Sequence, residues 1–151
     1  MPTAFDLAAA PGHLLRRAQQ VAVELYLAEV GEAGPTPQQF ALLVSVARHP
    51  GASQIELVRL SGIDRSTLAE MARRLVARGL LARRRARGDG RAYSLRITRA
   101  GHAFITEAAP GVVRAQERIL ALLPAARRRG FVADLQRMVE AGEALAAKPG
   151  R

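Results

Sequence analysis

Two helix start signals lie close together in the middle of this chain, and their spacing constrains the fold more than any other feature. Ser53 is followed three residues later by Glu56, the spacing at which each side chain bonds the other residue's backbone N–H. The helix that begins there is predicted to end at Gly62, because glycine readily adopts the left-handed conformation of a helix C-terminus. Asp64 then caps a second helix, predicted to run to about Arg78. Two helices joined by so short a turn form a helix-turn-helix.

A β-hairpin rich in arginine is predicted directly after the second helix. Residues 80–85 can form one strand, and alternating apolar and polar residues over 91–97 predict its partner, with Tyr93 on the apolar side. Residues 86–90 place two glycines around an aspartate, which indicates a tight turn. A helix-turn-helix followed by such a hairpin is a winged helix, and we predict one over residues 53–98.

Helical periodicity predicts further helices on both sides of this unit. An apolar repeat predicts a helix over residues 11–30, and Thr36 opens the next helix with a second capping box. Thr98 should cap a long helix that kinks or breaks at Pro110, because proline lacks an N–H and clashes with the preceding turn. Another helix should follow Pro124. The fold class is therefore mainly α with a small β-hairpin, in which N- and C-terminal helices flank the winged helix-turn-helix.

The positive charge of the chain is concentrated in one segment. The formal net charge is +10, and residues 73–99 contain ten arginines and a single acid, Asp89, so they carry +9 of it. A basic patch indicates an anionic partner, and the planar arginine fork donates bidentately to phosphate. Double-stranded DNA is therefore the predicted partner.

Several other classes of function lack support in the sequence. The chain has no cysteine, which excludes disulfides, thiolate metal sites and a thiol-oxidation switch. His13, His49 and His102 have no mutual metal-ligand spacing, and we expect neither metal nor cofactor. Clustered histidines with carboxylates and a glycine-rich phosphate loop are both missing, so we expect no enzymatic activity. Without a signal peptide or a long apolar run, we expect a cytoplasmic protein that does not engage membranes.

In these segments the chain resembles the MarR family of bacterial transcription regulators. The firmest stretches are TPQQF at 36–40, SQIEL at 53–57, DRSTL at 64–68, DGR at 89–91 and LRITRAG at 95–101. The resemblance covers nearly the whole chain, and the wing sequence is its most specific part.

The resemblance implies one domain over residues 1–151, acting as a homodimer. Residues 36–98 would form the DNA-binding lobe, and 7–31 and 99–147 the dimerisation helices. The apolar stripes of these outer helices can pack within one chain or across a two-fold axis, and we favour the dimer. The helix at 64–78 would enter the major groove and the wing tip the minor groove.

The predicted DNA contacts come from the start of the first helix, the outward face of the second and the hairpin: Ser53, Gln54, Arg65, Ser66, Thr67, Glu70, Arg73, Arg74, Arg84, Arg85, Arg87, Asp89, Gly90 and Arg91. By resemblance, Asp89 should orient Arg91, and Arg91 should enter the minor groove, where narrow A·T-rich sequences attract arginine. Arg74 matches a position that supports the wing or contacts phosphate.

Glu70 leaves two interpretations open. It can accept a hydrogen bond from cytosine N4, or it can simply pair with Arg73 or Arg74. Ala69 and Glu70 stand where many relatives have hydroxyl or basic residues, so the operator sequence does not follow from the resemblance.

An effector site is predicted at the start of the chain. Residues 11–20 look like a subgroup that responds to aromatic acids or their CoA thioesters, and the candidate ligand contacts are His13, Arg16, Arg17 and Gln20. Alternatively, the two arginines are solvated or contact DNA.

Two functions follow from these features. The first is a ligand-responsive repressor that binds a pseudo-palindromic operator as a homodimer, with a pocket beside residues 11–30. The alternative is a constitutive or architectural DNA-binding protein without an effector.

Overall fold

The computed structural model describes residues 6–85, 88 and 93–147. After a 3-10 turn at Leu7–Ala9, the elements in chain order are α1 Pro11–Val30, α2 Pro37–Arg48, α3 Gln54–Ser61, α4 Arg65–Ala77, β1 Leu81–Arg85, β2 Tyr93–Ile97, α5 Arg99–Ala121 and α6 Ala125–Ala146. The chain divides into two compact units, Met1–Ala115 and Gln116–Arg151. None of the helices within the described residues is long and apolar enough to cross a membrane.

Both predicted capping boxes are confirmed. At the start of α2, Thr36 Oγ1 accepts from the Gln39 amide at 3.2 Å and Gln39 Oε1 accepts from the Thr36 amide at 3.0 Å. At the start of α3, Ser53 Oγ accepts from the Glu56 amide at 3.2 Å, and Glu56 Oε2 accepts from the Ser53 amide at 2.7 Å. The hydrogen bonds from Ser53 hold the pKa of Glu56 below its usual value. Each box satisfies backbone donors that a helix start otherwise leaves unpaired.

The turn between α3 and α4 is the one that the sequence predicts. Gly62 has a φ of +68°, the left-handed conformation in which a side chain would be strained. Asp64 Oδ1 then accepts from the Thr67 amide at 2.9 Å and from the Ser66 hydroxyl at 2.8 Å. The helix-turn-helix is therefore confirmed, and α4 ends at Ala77, one residue before the predicted Arg78.

One hydrophobic core holds the helix-turn-helix to the strands. It contains Leu42, Leu43 and Val46 of α2, Leu57 of α3, Ile63 of the turn, Leu68, Ala72 and Leu75 of α4, Leu80 of the following loop and Leu81 of β1. Ile63 before the Asp64 cap and Leu68 after it are both buried, as expected for a hydrophobic staple. Because the inner face of α4 is buried here, its opposite face is turned to solvent.

The two strands form the predicted antiparallel hairpin. Leu81 pairs with Ile97 at the buried end, and Arg85 pairs with Tyr93 at the far end. On the apolar side of the strand, Leu95 and Ile97 pack against the core, but Tyr93 is 58% exposed. The core ends before this point of the strand, so among the described residues most of the Tyr93 side chain is left uncovered. Of the turn residues, only Gly88 lies within the described part, with a φ of +91°.

Helix α5 begins as predicted but does not break. The Thr98 hydroxyl caps it by accepting from the Gly101 amide at 3.0 Å. Of the two outcomes expected at Pro110, the break does not occur, since α5 is one helix from Arg99 to Ala121. Proline removes one backbone hydrogen bond from the helix. Close packing against α1 supports the helix at the next residue, because a Cβ on Gly111 would lie only 2.7 Å from the Glu29 carbonyl oxygen. Arg114 adds an ion pair to Glu29 at 2.8 Å.

A methyl group at Gly101 should destabilise the protein. Its Cβ would collide with the Leu80 carbonyl oxygen and approach Ile97 Cγ1 to 2.8 Å, where α5 crosses the start of β1. We expect Gly101→Ala to lower the free energy of unfolding by about 1–3 kcal/mol, measured by urea denaturation at fixed protein concentration. The matched control is Gly142→Ala, which faces open space within α6 and should be neutral or stabilising. Equal effects of the two substitutions would contradict the close approach.

The Asp64 cap should make the free energy of unfolding depend on pH at acidic pH. Hydrogen bonds from Thr67, and then from Ser66, lower the pKa of Asp64 from 3.8 to about 2. The ionised cap therefore stabilises the fold fully above the ordinary pKa, and this contribution is lost as the pH falls toward 2. In Asp64→Asn the amide oxygen still caps α4 but does not titrate. The free energy of unfolding of this variant should fall less steeply than that of the wild type between about pH 4 and pH 2. Parallel pH profiles would contradict this role for Asp64.

Candidate nucleic-acid interface

The outward face of α4 is polar, basic and exposed. Leu68, Ala72 and Leu75 turn into the core, and this fixes which residues face solvent. The exposed face consists of Arg65, Ser66, Thr67, Ala69, Glu70, Arg73 and Arg74. All the predicted DNA contacts on α4 are therefore exposed. Its dimensions suit a major groove, which is about 12 Å wide and admits one helix.

The start of α4 and the start of α3 present hydrogen-bonding groups side by side. Ser66 donates its hydroxyl to Asp64, so its oxygen keeps lone pairs that can accept a further hydrogen bond. In its capping box Ser53 Oγ acts as an acceptor, which leaves the hydroxyl hydrogen to donate. Gln54 and Arg65 are exposed next to these groups. These side chains can contact phosphate and base edges without breaking the caps that hold the helices.

A cavity of about 520 Å³ brings three elements of this surface together. The start of α3 contributes Ser53 and Gln54, α4 contributes Arg65, and the hairpin contributes Arg83 and Tyr93. The first three are predicted DNA contacts, so the structure places them around one concave surface. Ile55, which is 75% exposed, lies on the same lining.

Arg83, Tyr93 and Ile55 were not among the residues predicted from the sequence to contact DNA. Arg83 could have been found, because it stands two positions before Arg85 on β1, and alternate residues of a strand share a face. Tyr93 was predicted to lie on the apolar side of the hairpin. Its exposure becomes apparent only in the structure, where the core ends before it reaches this residue. Nothing in the local sequence distinguishes Ile55 from a core residue.

Glu70 lies within the basic face and contacts two arginines. Arg73 donates to its carboxylate through Nε at 3.0 Å and Nη2 at 2.8 Å, and Arg74 donates through Nε at 2.9 Å. Hydrogen bonds from Arg73, and then from Arg74, lower the pKa of Glu70 to about 2, so its carboxylate is ionised at neutral pH. The same contact raises the pKa of Arg73. Of the two interpretations from the sequence, pairing with arginine is the one seen in the protein alone.

The hairpin extends the basic surface. Arg84 and Arg85 are exposed on β1, where they pair across the ladder with Ser94 and Tyr93. From Arg65 to Ile97 the sequence contains only two acids, Glu70 and Asp89, so this surface has little negative charge to offset its arginines. The remaining predicted wing contacts lie outside the described residues: Arg87, Asp89, Gly90 and Arg91.

The predicted effector contacts lie together on the first turns of α1. Arg16 Nη2 is 3.3 Å from His13 Nδ1, and Arg17 and Gln20 are exposed nearby on the same helix. The 520 Å³ cavity contains no α1 residue in its lining, and neither does a second cavity of about 350 Å³ beside Glu70. These two cavities are therefore distinct from the pocket predicted beside residues 11–30, and the ligand role of these residues stays a prediction.

Comparison with known proteins places this geometry in a family. Residues 33–92 match the MarR family. The PcaV transcriptional regulator from Streptomyces coelicolor, in complex with its natural ligand, has a TM-score of 0.82 and 37% identity, covering 92% of this chain and 98% of its own. BpsR from Bordetella bronchiseptica, whose DNA binding is regulated by 6-hydroxynicotinic acid, has a TM-score of 0.81 and 28% identity, covering 90% and 98%.

A third similar structure contains DNA. The transcriptional repressor CouR, bound to a 23-mer DNA duplex, has a TM-score of 0.79 and 31% identity, covering 89% of this chain and 95% of its own. CouR is also known bound to p-coumaroyl-CoA. The similarity to PcaV and CouR extends over most of both chains. This chain therefore belongs to the MarR family and is a DNA-binding transcriptional regulator.

Proposed function

We propose that the protein is a ligand-responsive repressor, which binds a pseudo-palindromic operator as a homodimer and releases it when a small aromatic acid or its CoA thioester binds. The observation that supports DNA binding is the exposed basic surface on the outward face of α4 and on β1 of the hairpin, which line one cavity through Arg65 and Arg83. Helix α4 would enter the major groove, and Arg91 at the wing, oriented by Asp89, would enter the minor groove. Residues 36–98 form the DNA-binding lobe in this proposal.

Exposed apolar side chains support dimerisation through residues 7–31 and 99–147. On α1 they are Leu14, Leu15, Val21 and Leu27, and on α6 they are Phe131, Val132, Leu135, Met138, Val139 and Leu145. So many large apolar residues on outer helices are typical of a protein–protein interface. A dimer of helix-turn-helix units reads two half-sites about 34–36 Å apart, which requires an operator of matching symmetry.

The effector class is proposed from the similar proteins and from the chemistry of α1. BpsR responds to 6-hydroxynicotinic acid, and CouR binds an aryl-CoA thioester. His13, Arg16, Arg17 and Gln20 offer donors and positive charge to a carboxylate or phosphate. The proposed function consists of binding alone and involves no catalytic step and no cofactor. Because bacterial DNA lies in the cytoplasm, we propose that the protein acts there.

Loss of a wing arginine should weaken operator binding. We expect Arg91→Ala to cost about 1–3 kcal/mol of binding free energy if Arg91 enters the groove. Affinity for a duplex selected from a random pool is measured by fluorescence anisotropy, and the wild-type affinity should fall steeply with salt because phosphate contacts release counterions. Arg137→Ala removes an exposed arginine of α6 and serves as the control. Unchanged operator affinity in Arg91→Ala would remove the wing from the proposed interface.

Loss of the α1 arginines should abolish the effector response and leave the dimer intact. Aromatic acids and their CoA thioesters are first screened by thermal shift, since a ligand that binds the folded state raises its apparent stability. A ligand found in this way should release DNA from the wild type but not from the double variant Arg16→Ala/Arg17→Ala. The control is the double variant Arg129→Ala/Arg137→Ala on α6, which removes the same amount of positive charge. Release at the same ligand concentration from both double variants would exclude the α1 site, and the lack of any releasing ligand would favour a constitutive DNA-binding protein.

A further inference from the structure

Glu70 lies on the side of helix α4 that points away from the core. The buried residues Leu68, Ala72 and Leu75 define the inner side of the helix. At about 100° per residue, Glu70 lies opposite their centre, and Arg73 and Arg74 lie within roughly 60° of it on either side. A helix that inserts its outward face into a groove therefore brings Glu70 and its two arginines to the DNA first.

The contact with Arg73 uses a defined edge of the guanidinium group. Nε and Nη2 donate to the two carboxylate oxygens of Glu70 in parallel, at 3.0 and 2.8 Å. Such a bidentate pair fixes the plane of the guanidinium group as well as its position. The side chain of Arg73 is nonetheless 63% exposed, so the group is oriented without being covered.

The remaining donors of Arg73 match one base. Arginine has five N–H groups, and the contact with Glu70 engages one on Nε and one on Nη2. The free end of the fork, formed by Nη1 and the second N–H of Nη2, meets no protein acceptor among the described residues. Two parallel donors at the end of an arginine are the pattern that binds O6 and N7 of guanine in the major groove.

The charge of Glu70 acts against binding to arbitrary DNA. Its carboxylate stands at the centre of the face that approaches the phosphates, and it neutralises part of the charge of Arg73 and Arg74. Affinity for DNA of any sequence depends on the positive charge that reaches the backbone, so this residue lowers it. At the cognate site, a guanine accepts hydrogen bonds from the oriented end of Arg73, and these bonds offset the loss of affinity. Other sequences do not offer this compensation.

We propose that Glu70 is a positioning residue that sets the specificity of α4, because it holds Arg73 with the end of its guanidinium group directed at a guanine and weakens contacts with other sequences. This inference rests on the proposed binding of α4 in the major groove.

The test is a selection of duplexes from a random pool by the full-length protein, followed by sequencing. The wild type, Glu70→Gln and Arg73→Ala are compared. In Glu70→Gln the amide nitrogen is a donor and cannot accept from Arg73, so the bidentate contact is lost while the size of the side chain is kept. We expect both variants to lose the preference for the same guanine in each half-site, by about 5- to 100-fold.

Affinity measurements add a readout that a purely structural role would not change. Glu70→Gln should bind non-cognate DNA more tightly than the wild type, by roughly threefold, the effect of one unit charge about 6 Å away in water. The control is Glu32→Gln, which alters an exposed acid in the turn after α1, outside the proposed dimerisation and DNA-binding segments, and makes the same change in net charge. The control should leave both the sequence preference and the non-cognate affinity unchanged. The double variant Glu70→Gln/Arg73→Ala should lose no more preference than Arg73→Ala alone.

Other results would overturn the inference. If Glu70→Gln selects the same sequences as the wild type, Glu70 does not set specificity, although the proposed function stands. If it loses a cytosine preference that Arg73→Ala keeps, Glu70 reads the base itself. If the wild type enriches no sequence at all, the proposed function fails, and the inference fails with it.

Discussion

The burial of one side of α4 is the constraint on which the candidate DNA surface depends. Leu68 and Leu75 are completely buried, in the same core as Leu42 of α2 and Leu81 of β1. Because side chains of a helix keep fixed angular positions, anchoring these residues determines the direction of every other residue on it. The orientation of Glu70 and its arginine partners is thus a consequence of core packing, and a rotation of α4 would expose leucine.

Much of the fold could be predicted from the sequence because its signals are local. Capping boxes at Thr36 and Ser53, the left-handed Gly62 and the Asp64 cap each involve residues within four positions of one another, and each is present as predicted. Local hydrogen bonds of this kind depend little on the rest of the chain. They fix the helix boundaries, and the hydrophobic periodicity then shows which faces must meet.

The predictions that failed or stayed open depend on contacts between distant segments. Pro110 was expected to kink or break α5. The break does not occur, and packing against Glu29, far away in sequence, supports the continuous helix there. The exposure of Tyr93 follows from where the core ends, and strand periodicity carries no information about that limit. The choice between the two roles of Glu70 required the positions of both arginines, because spacings of three and four residues each allow pairing.

The junction of α4, β1 and α5 joins the candidate DNA surface to the start of α5. The Thr98 hydroxyl donates to the Gly79 carbonyl at 2.6 Å, and its amide donates to Leu80 at 3.1 Å, so the start of α5 is bonded to the loop after α4. The Arg78 guanidinium lies 5.2 Å from the centre of the Phe104 ring, within the range of a cation–π contact. A close-packed junction transmits displacement rather than absorbing it. A displacement of the start of α5 would therefore move the end of α4 and the base of the hairpin with it.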